Sequence, residues 1–144
     1  MSIAPVQKMA TYEELADEDD NMLLRAAWPR YKQEFWDYLA ESRETVQRIV
    51  AAHLSCHPEA CTVAPVHQWK AGSYNVCMPV TVAGRGRVMV RCPLDYRFKS
   101  TADEKIRGEA ATYAWLAANC PDIPIPCLRG FGVPNGESFT PLAQ

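Results

Sequence analysis

Two residues of opposite charge stand where apolar side chains would be expected. In the run Arg87–Pro93 (RVMVRCP), strand alternation puts Val88, Val90 and Cys92 on one face and Met89 and Arg91 on the other. Neither face is otherwise polar, so Arg91 projects among apolar neighbours. In the helical run KIRGEAATYAWL, Glu109 falls between Tyr113 and Leu116, within the arc that also holds Ile106. A carboxylate there faces the sheet. A buried, unpaired charge is costly, and one of each sign on apposed elements predicts that the two satisfy each other. Snorkelling to water explains either residue taken alone, but explains the pair less well.

A second set of reactive types is His53, Cys56, His57 and Cys61, with Cys77 or His67 nearby. These are zinc-ligand types. Their spacing fits no standard finger, and His53 continues an apolar helix stripe. A small zinc-binding domain is therefore the minor alternative, and no metal ligand is assigned. The six cysteines (Cys56, Cys61, Cys77, Cys92, Cys120, Cys127) are even in number. Without an export signal, and with enough apolar material for a core, reduced and buried thiols are the expectation.

The elements that must position these residues follow from periodicity. Residues 1–20 are polar, end in the acidic run Asp17–Asp20, and read as a loose arm. A helical pattern begins at Asp20, is interrupted at Trp28-Pro29, and resumes at Arg30 as far as Leu54. Phe35, Leu39, Val46, Ile49, Val50 and His53 form its apolar stripe. Ser55–Ala60 is a turn. Strand-like runs follow over Cys61–Trp69, Tyr74–Ala83 and Arg87–Pro93, broken at Lys70–Ser73 and by a hairpin turn at Gly84-Arg85-Gly86. Together they predict an antiparallel meander. Thr101, with Glu104 three residues on, fits a capping box for a helix whose stripe is Ile106, Ala110, Tyr113, Leu116 and Ala117. Asn119-Cys120-Pro121 stops that helix. Asp122–Pro126 is an extended connector, because each proline moves its predecessor out of the α region. Cys127–Val133 and Phe139–Leu142 are candidate fourth and fifth strands. The fold class is α+β.

Composition narrows the function classes. In 144 residues, 15 Lys+Arg against 17 Asp+Glu give a formal charge of −2, which leaves no electrostatic footprint for nucleic acid. No apolar run approaches the ~18 residues of a membrane span. The N-terminus has neither the basic start nor the apolar stretch of a secretory signal, so a cytoplasmic location is expected.

With these residues in view, the chain resembles the kinase-like N-lobe of the aminoglycoside phosphotransferase family, especially its broad fungal branch. The matching segments are Ala71-Gly72-Ser73-Tyr74-Asn75, the strand VMVRCP with Arg91 and Pro93, KIRGEAATYAWL with Glu109, and IPIPCL followed by Gly130-Phe131-Gly132. They cover roughly residues 30–140. The resemblance implies an antiparallel sheet of four to five strands with one packed helix and a long N-terminal helix, together roofing an ATP pocket. Residues 21–142 would form that lobe. The resemblance further implies that Gly72, Ser73 and Asn75 form the phosphate loop, Arg91 is the phosphate-facing cation, and Glu109 is its anchor. In kinases a cation of this kind sits over the nucleotide phosphates, where catalysis is mostly positioning and charge stabilisation. Arginine keeps its charge when buried and can grip a carboxylate bidentately. Gly72 allows backbone N–H groups to approach a phosphate.

The same resemblance exposes a deficit. The sequence holds no H-x-D-x-x-x-x-N pattern and no D-F-G-like segment, so no catalytic residue is assigned. The expectation is an incomplete phosphotransferase lobe, from a truncated gene or as a single-lobe protein. It would contact ATP weakly at most, with no Mg2+ expected in the absence of a second lobe. A homodimer partner or a separate C-lobe chain would then cover the cleft face. The alternative of another class is a non-catalytic interaction module of the pseudokinase type.

Overall fold

The computed structural model describes residues 22–97 and 101–141. The arm assigned to residues 1–20 lies outside them, as does Leu142.

Helix α1 spans Met22–Glu41 and α2 spans Arg43–Leu54. Pro29 sits inside α1 rather than interrupting it. A proline there removes one N–H from the ladder but leaves the chain free to continue as a helix at a cost. The joint falls instead at Ser42, whose N–H donates to the Tyr38 carbonyl while its own carbonyl accepts from Val46, both at 3.0 Å. The hydrogen-bond ladder therefore crosses the joint. At its far end α2 closes with Ser55 in the left-handed conformation (φ 50°). The Cys56 N–H reaches the Ala51 carbonyl at 3.0 Å, and the Ser55 N–H reaches that of Ala52 at 3.3 Å. This is a Schellman closure with serine in the place usually taken by glycine.

The main sheet is antiparallel and centred on β3 (Asn75–Val82). On one side β3 pairs along its full length with β4 (Gly86–Pro93); on the other it pairs with β1 (Cys61–Val63) and β2 (Lys70–Ala71). Of the expected first strand, Cys61–Trp69, only Cys61–Val63 joins the sheet, and β2 (Lys70–Ala71) falls where the sequence predicts a break. Pro65 and a helical turn at Val66–Gln68 separate β1 from β2. Gly84 (φ 71°) and Gly86 (φ 87°) carry the β3–β4 turn in a backbone region that side chains disfavour.

One sheet face is the core. Val76, Met78, Val80 and Val82 of β3 are fully buried, with Cys61 and Val63 of β1 beside them. Leu39, Val46, Val50 and Ala51 of the N-terminal helices cover them, and Trp36 stacks on Trp69 with ring centroids 5.6 Å apart. The polar residues at this seam bond to strand carbonyls: Arg43 to that of Val63 at 3.0 Å and Gln47 to that of Cys61 at 2.6 Å. Ile49, expected in the stripe, is half exposed. The buried arc of α2 runs from Val46 through Val50 to Ala51, and Ile49 lies on the far flank of Val46.

Helix α3 (Ala102–Asn119) begins and ends as the sequence predicts, but the Thr101 side chain makes no capping hydrogen bond. Of its expected stripe only Ala110 is buried; Ile106, Tyr113 and Leu116 are half-buried and Ala117 is exposed. The helix that covers the sheet is therefore α2, not α3.

The C-terminal strands do not extend the sheet. β5 (Phe131–Gly132) and β6 (Ser138–Phe139) pair only with each other among the described residues. Their hairpin is tied to α3 by Arg107, which bonds Glu137 at 2.7 Å and Asp103 at 2.8 Å. Arg107 holds the Glu137 carboxyl below its usual range. The hairpin also meets α2: His53 Nδ1 lies 2.8 Å from Thr140 Oγ1, and Gly130 packs directly under the imidazole. The sheet proper has four strands, and the segment from Pro121 to Gly130 does not join it; it begins as a turn, the Ile123 N–H donating to the Cys120 carbonyl at 3.1 Å, where the sequence predicts an extended connector from Asp122.

Candidate functional site

The alternation in β4 is as expected. Val88, Val90 and Cys92 pack on the core, and Met89 lies on the opposite face, 56% exposed. That opposite face is largely open rather than buried: Met89 and Arg91 are exposed, and of its β3 residues only Pro79 is buried. Arg91 and Glu109 meet across it: Arg91 Nη2 is 3.6 Å from Glu109 Oε2, and the two side chains are 41% and 40% exposed. The pair is half-solvated, so the desolvation penalty that predicted it is smaller than for a buried pair.

Register brings further groups to Arg91. Cys77 is its direct partner on β3, and Asn75, two residues earlier, is its diagonal neighbour on the same face. With its amide turned to satisfy both neighbours, Asn75 accepts a hydrogen bond from Arg91 Nη2 at 3.0 Å and donates to the Tyr74 carbonyl at 3.3 Å. Asn75, Arg91 and Glu109 thus form one connected set.

Gly72, Ser73 and Tyr74 make the turn from β2 into β3, beside Asn75. The turn is closed by the Gly72 N–H donating to the Asn75 carbonyl at 3.0 Å. A Cβ at Gly72 would meet nothing within 4 Å, so packing does not demand glycine at this position. Gly72 and Ser73 are exposed. All five candidate residues therefore lie at one end of the β2–β3–β4 sheet, although only Asn75, Arg91 and Glu109 are linked through their side chains.

Two residues of this end were not singled out from the sequence. Lys105 bonds to Glu109 one helical turn away, so the carboxylate is shared between two cations. The i, i+4 spacing of lysine and glutamate was the available signal. Lys70 is the β2 partner of Cys77, which places it on the same face as Arg91 across β3. Only the strand register reveals that. Beside the turn, the Arg97 guanidinium lies 3.7 Å from the centroid of the Trp28 ring and 5.6 Å from that of Tyr74.

Along α3, Thr101, Lys105, Glu109, Tyr113 and Leu116, with Ile125 from the connector, border an open cleft of about 640 Å3.

The zinc alternative does not assemble. His53 faces Thr140 and Ser138, His57 lies 3.8 Å from Glu59, and Cys56 and Cys61 face each other. Among the described residues no three His, Cys, Asp or Glu side chains gather as a metal set. All six cysteines are free thiols; Cys61 is buried, Cys127 is exposed and the other four are half-buried. Burial, aided by nearby Cys77, pushes the Cys92 thiol up to about 11. No helix among the described residues is long and apolar enough to cross a membrane.

Comparison of the chain with family models, with curated proteins and with solved structures returns no match.

Proposed function

We propose that this chain is an incomplete phosphotransferase-type N-lobe, of the kind seen in kinase-like aminoglycoside phosphotransferases, that offers a half-site for nucleotide phosphates. Arg91 is the phosphate-facing cation, Glu109 anchors it, and Asn75 fixes its direction. Gly72 and Ser73 supply the backbone turn beside it. The observation that carries the reading is the 3.6 Å Arg91–Glu109 contact between strand and helix, beside a glycine turn. The half-exposed state of Arg91 leaves N–H donors able to reach an anion. Nothing in the sequence supplies the aspartates that bind metal and orient an acceptor, so the lobe transfers no phosphate by itself.

Thermal unfolding with and without millimolar ATP tests the reading. A small stabilisation in the wild type that vanishes in Arg91→Ala supports it. Equal behaviour of the two proteins contradicts it and favours a non-catalytic interaction module. That second reading has its own observation: Trp115 (60% exposed) and Ile123 (50% exposed) are large apolar side chains left open to solvent.

A further inference from the structure

The Arg91 end of the molecule leaves a second reactive group unused, at the opposite end of β3. Cys56 and Cys61 bring their sulfurs to 3.8 Å, van der Waals contact between two free thiols. Each is held by backbone. Cys56 is fixed by the Schellman closure of α2, through its N–H on the Ala51 carbonyl. Cys61 opens β1: it is in register with Val82, and its carbonyl accepts from Gln47. Between them runs one helical turn, Pro58–Ala60. A disulfide needs the sulfurs about 2.05 Å apart, so bond formation asks for a side-chain adjustment of under about 2 Å.

We propose that Cys56 and Cys61 are a site of reversible oxidation, closed to an intramolecular disulfide by a low-molecular-weight disulfide such as oxidised glutathione. The two thiols have different roles. Cys56 is half-exposed and can meet a reagent from solvent, whereas Cys61 is 1% exposed. Burial and the facing Cys56 sulfur oppose ionisation of Cys61, so it is the poorer first nucleophile. The Cys56 thiolate attacks one glutathione sulfur, forms a mixed disulfide and expels a glutathione thiolate. Cys61 then loses its proton and attacks the Cys56 sulfur, expelling the second glutathione. Two protein thiols are oxidised and one glutathione disulfide is reduced to two glutathione molecules. The protons from Cys56 and Cys61 end on the two leaving thiolates. The site stands apart from Arg91 and does not rest on the proposed nucleotide role.

The test is mass mapping of the full chain, incubated folded with oxidised glutathione, alkylated and cut with trypsin. Cleavage after Arg48 and Lys70 releases one peptide that holds Cys56 and Cys61 and no other cysteine. The expected result is a peptide two hydrogens lighter, unalkylated at both positions, and restored by dithiothreitol. In Cys56→Ser, Cys61 should stay reduced and become alkylated after denaturation, because the entry thiol is gone. A stable glutathione adduct on Cys56 with Cys61 still alkylatable would overturn the proposal. So would both thiols remaining free, or Cys61 becoming oxidised equally well in Cys56→Ser. Circular dichroism of the variant checks that it is folded, and the wild-type map stands without it.

Discussion

Gly130→Ala should destabilise the protein through a single contact. A methyl group built on Gly130 would lie 2.6 Å from both Cγ and Cε1 of the His53 ring, and closer still to Nδ1. The ring cannot swing aside freely, because Nδ1 meets Thr140 Oγ1 at 2.8 Å and Nε2 meets Ser138 Oγ at 3.5 Å. Forcing an extra methyl into a packed position costs about 1–3 kcal/mol. Loss of a hydrogen bond adds about 1 kcal/mol. Against these, alanine restricts the unfolded chain and returns about 0.4–1 kcal/mol, since Gly130 is not among the positive-φ glycines. The net is a loss of about 2 kcal/mol, or roughly 7 °C in melting temperature for a chain of this size. Thermal and urea unfolding of Gly130→Ala, His53→Ala and the double variant measure it. Adding Gly130→Ala on top of His53→Ala should cost nothing further, because the obstructed ring is gone. A Gly130→Ala variant as stable as the wild type, or full additivity of the two changes, would show that the His53 ring does not obstruct this position.

Three other outcomes follow from the same geometry. Ser55→Gly relieves a left-handed residue at the end of α2 and should stabilise the protein by about 1 kcal/mol in urea unfolding; a loss of stability would show that the serine side chain is needed there. A double-mutant cycle of Arg91→Ala and Glu109→Gln should give a coupling of only about 0.2–1 kcal/mol, since both side chains are some 40% exposed; a coupling above about 2 kcal/mol would mean a far drier pair. The folded Cys92 thiol is raised to about 11 from 9.0, so its neutral form is favoured in the folded state. Its contribution is fully present below about pH 9 and is lost as pH climbs to about 11, where the unfolded thiol ionises first. Stability should therefore fall more steeply from pH 9 to 11 in the wild type than in Cys92→Ala, by up to roughly 2–3 kcal/mol; parallel curves would contradict this.

How far the sequence was legible depended on whether the deciding force was local. The β3–β4 hairpin could be read because two glycines, Gly84 and Gly86, flank Arg85 between two strand-like apolar runs, and both glycines take positive φ. The limits of α3 could be read from Thr101 and from Pro121, which follows its end. Pro29 misled because proline propensity is local, whereas the surrounding helix is favoured by packing of Phe35, Trp36 and Leu39 farther along it. The last two strands were expected in the main sheet, yet a short run such as Phe131–Gly132 says nothing of its partner. Here the stacked Phe131 and Phe139 rings, 4.9 Å apart, accompany a separate hairpin. The Arg91–Glu109 contact was legible from two charges in apolar company. Its half-exposed state was not, because that depends on which helix covers which face of the sheet. Lys70 and Lys105 went unseen for related reasons: one needs the strand register, and the other looks like an ordinary i, i+4 surface pair until Arg91 is found on the same carboxylate.

The measurement that bears most directly on the function is an amide NMR titration of the full chain with ATP, in the wild type and in Arg91→Ala. Weak, saturable shifts confined to residues 71–76, 91–93 and the α3 turn around Glu109, and absent from the variant, are expected. Identical shifts in both proteins, shifts confined to other surfaces, or none at all would contradict the proposed nucleotide role.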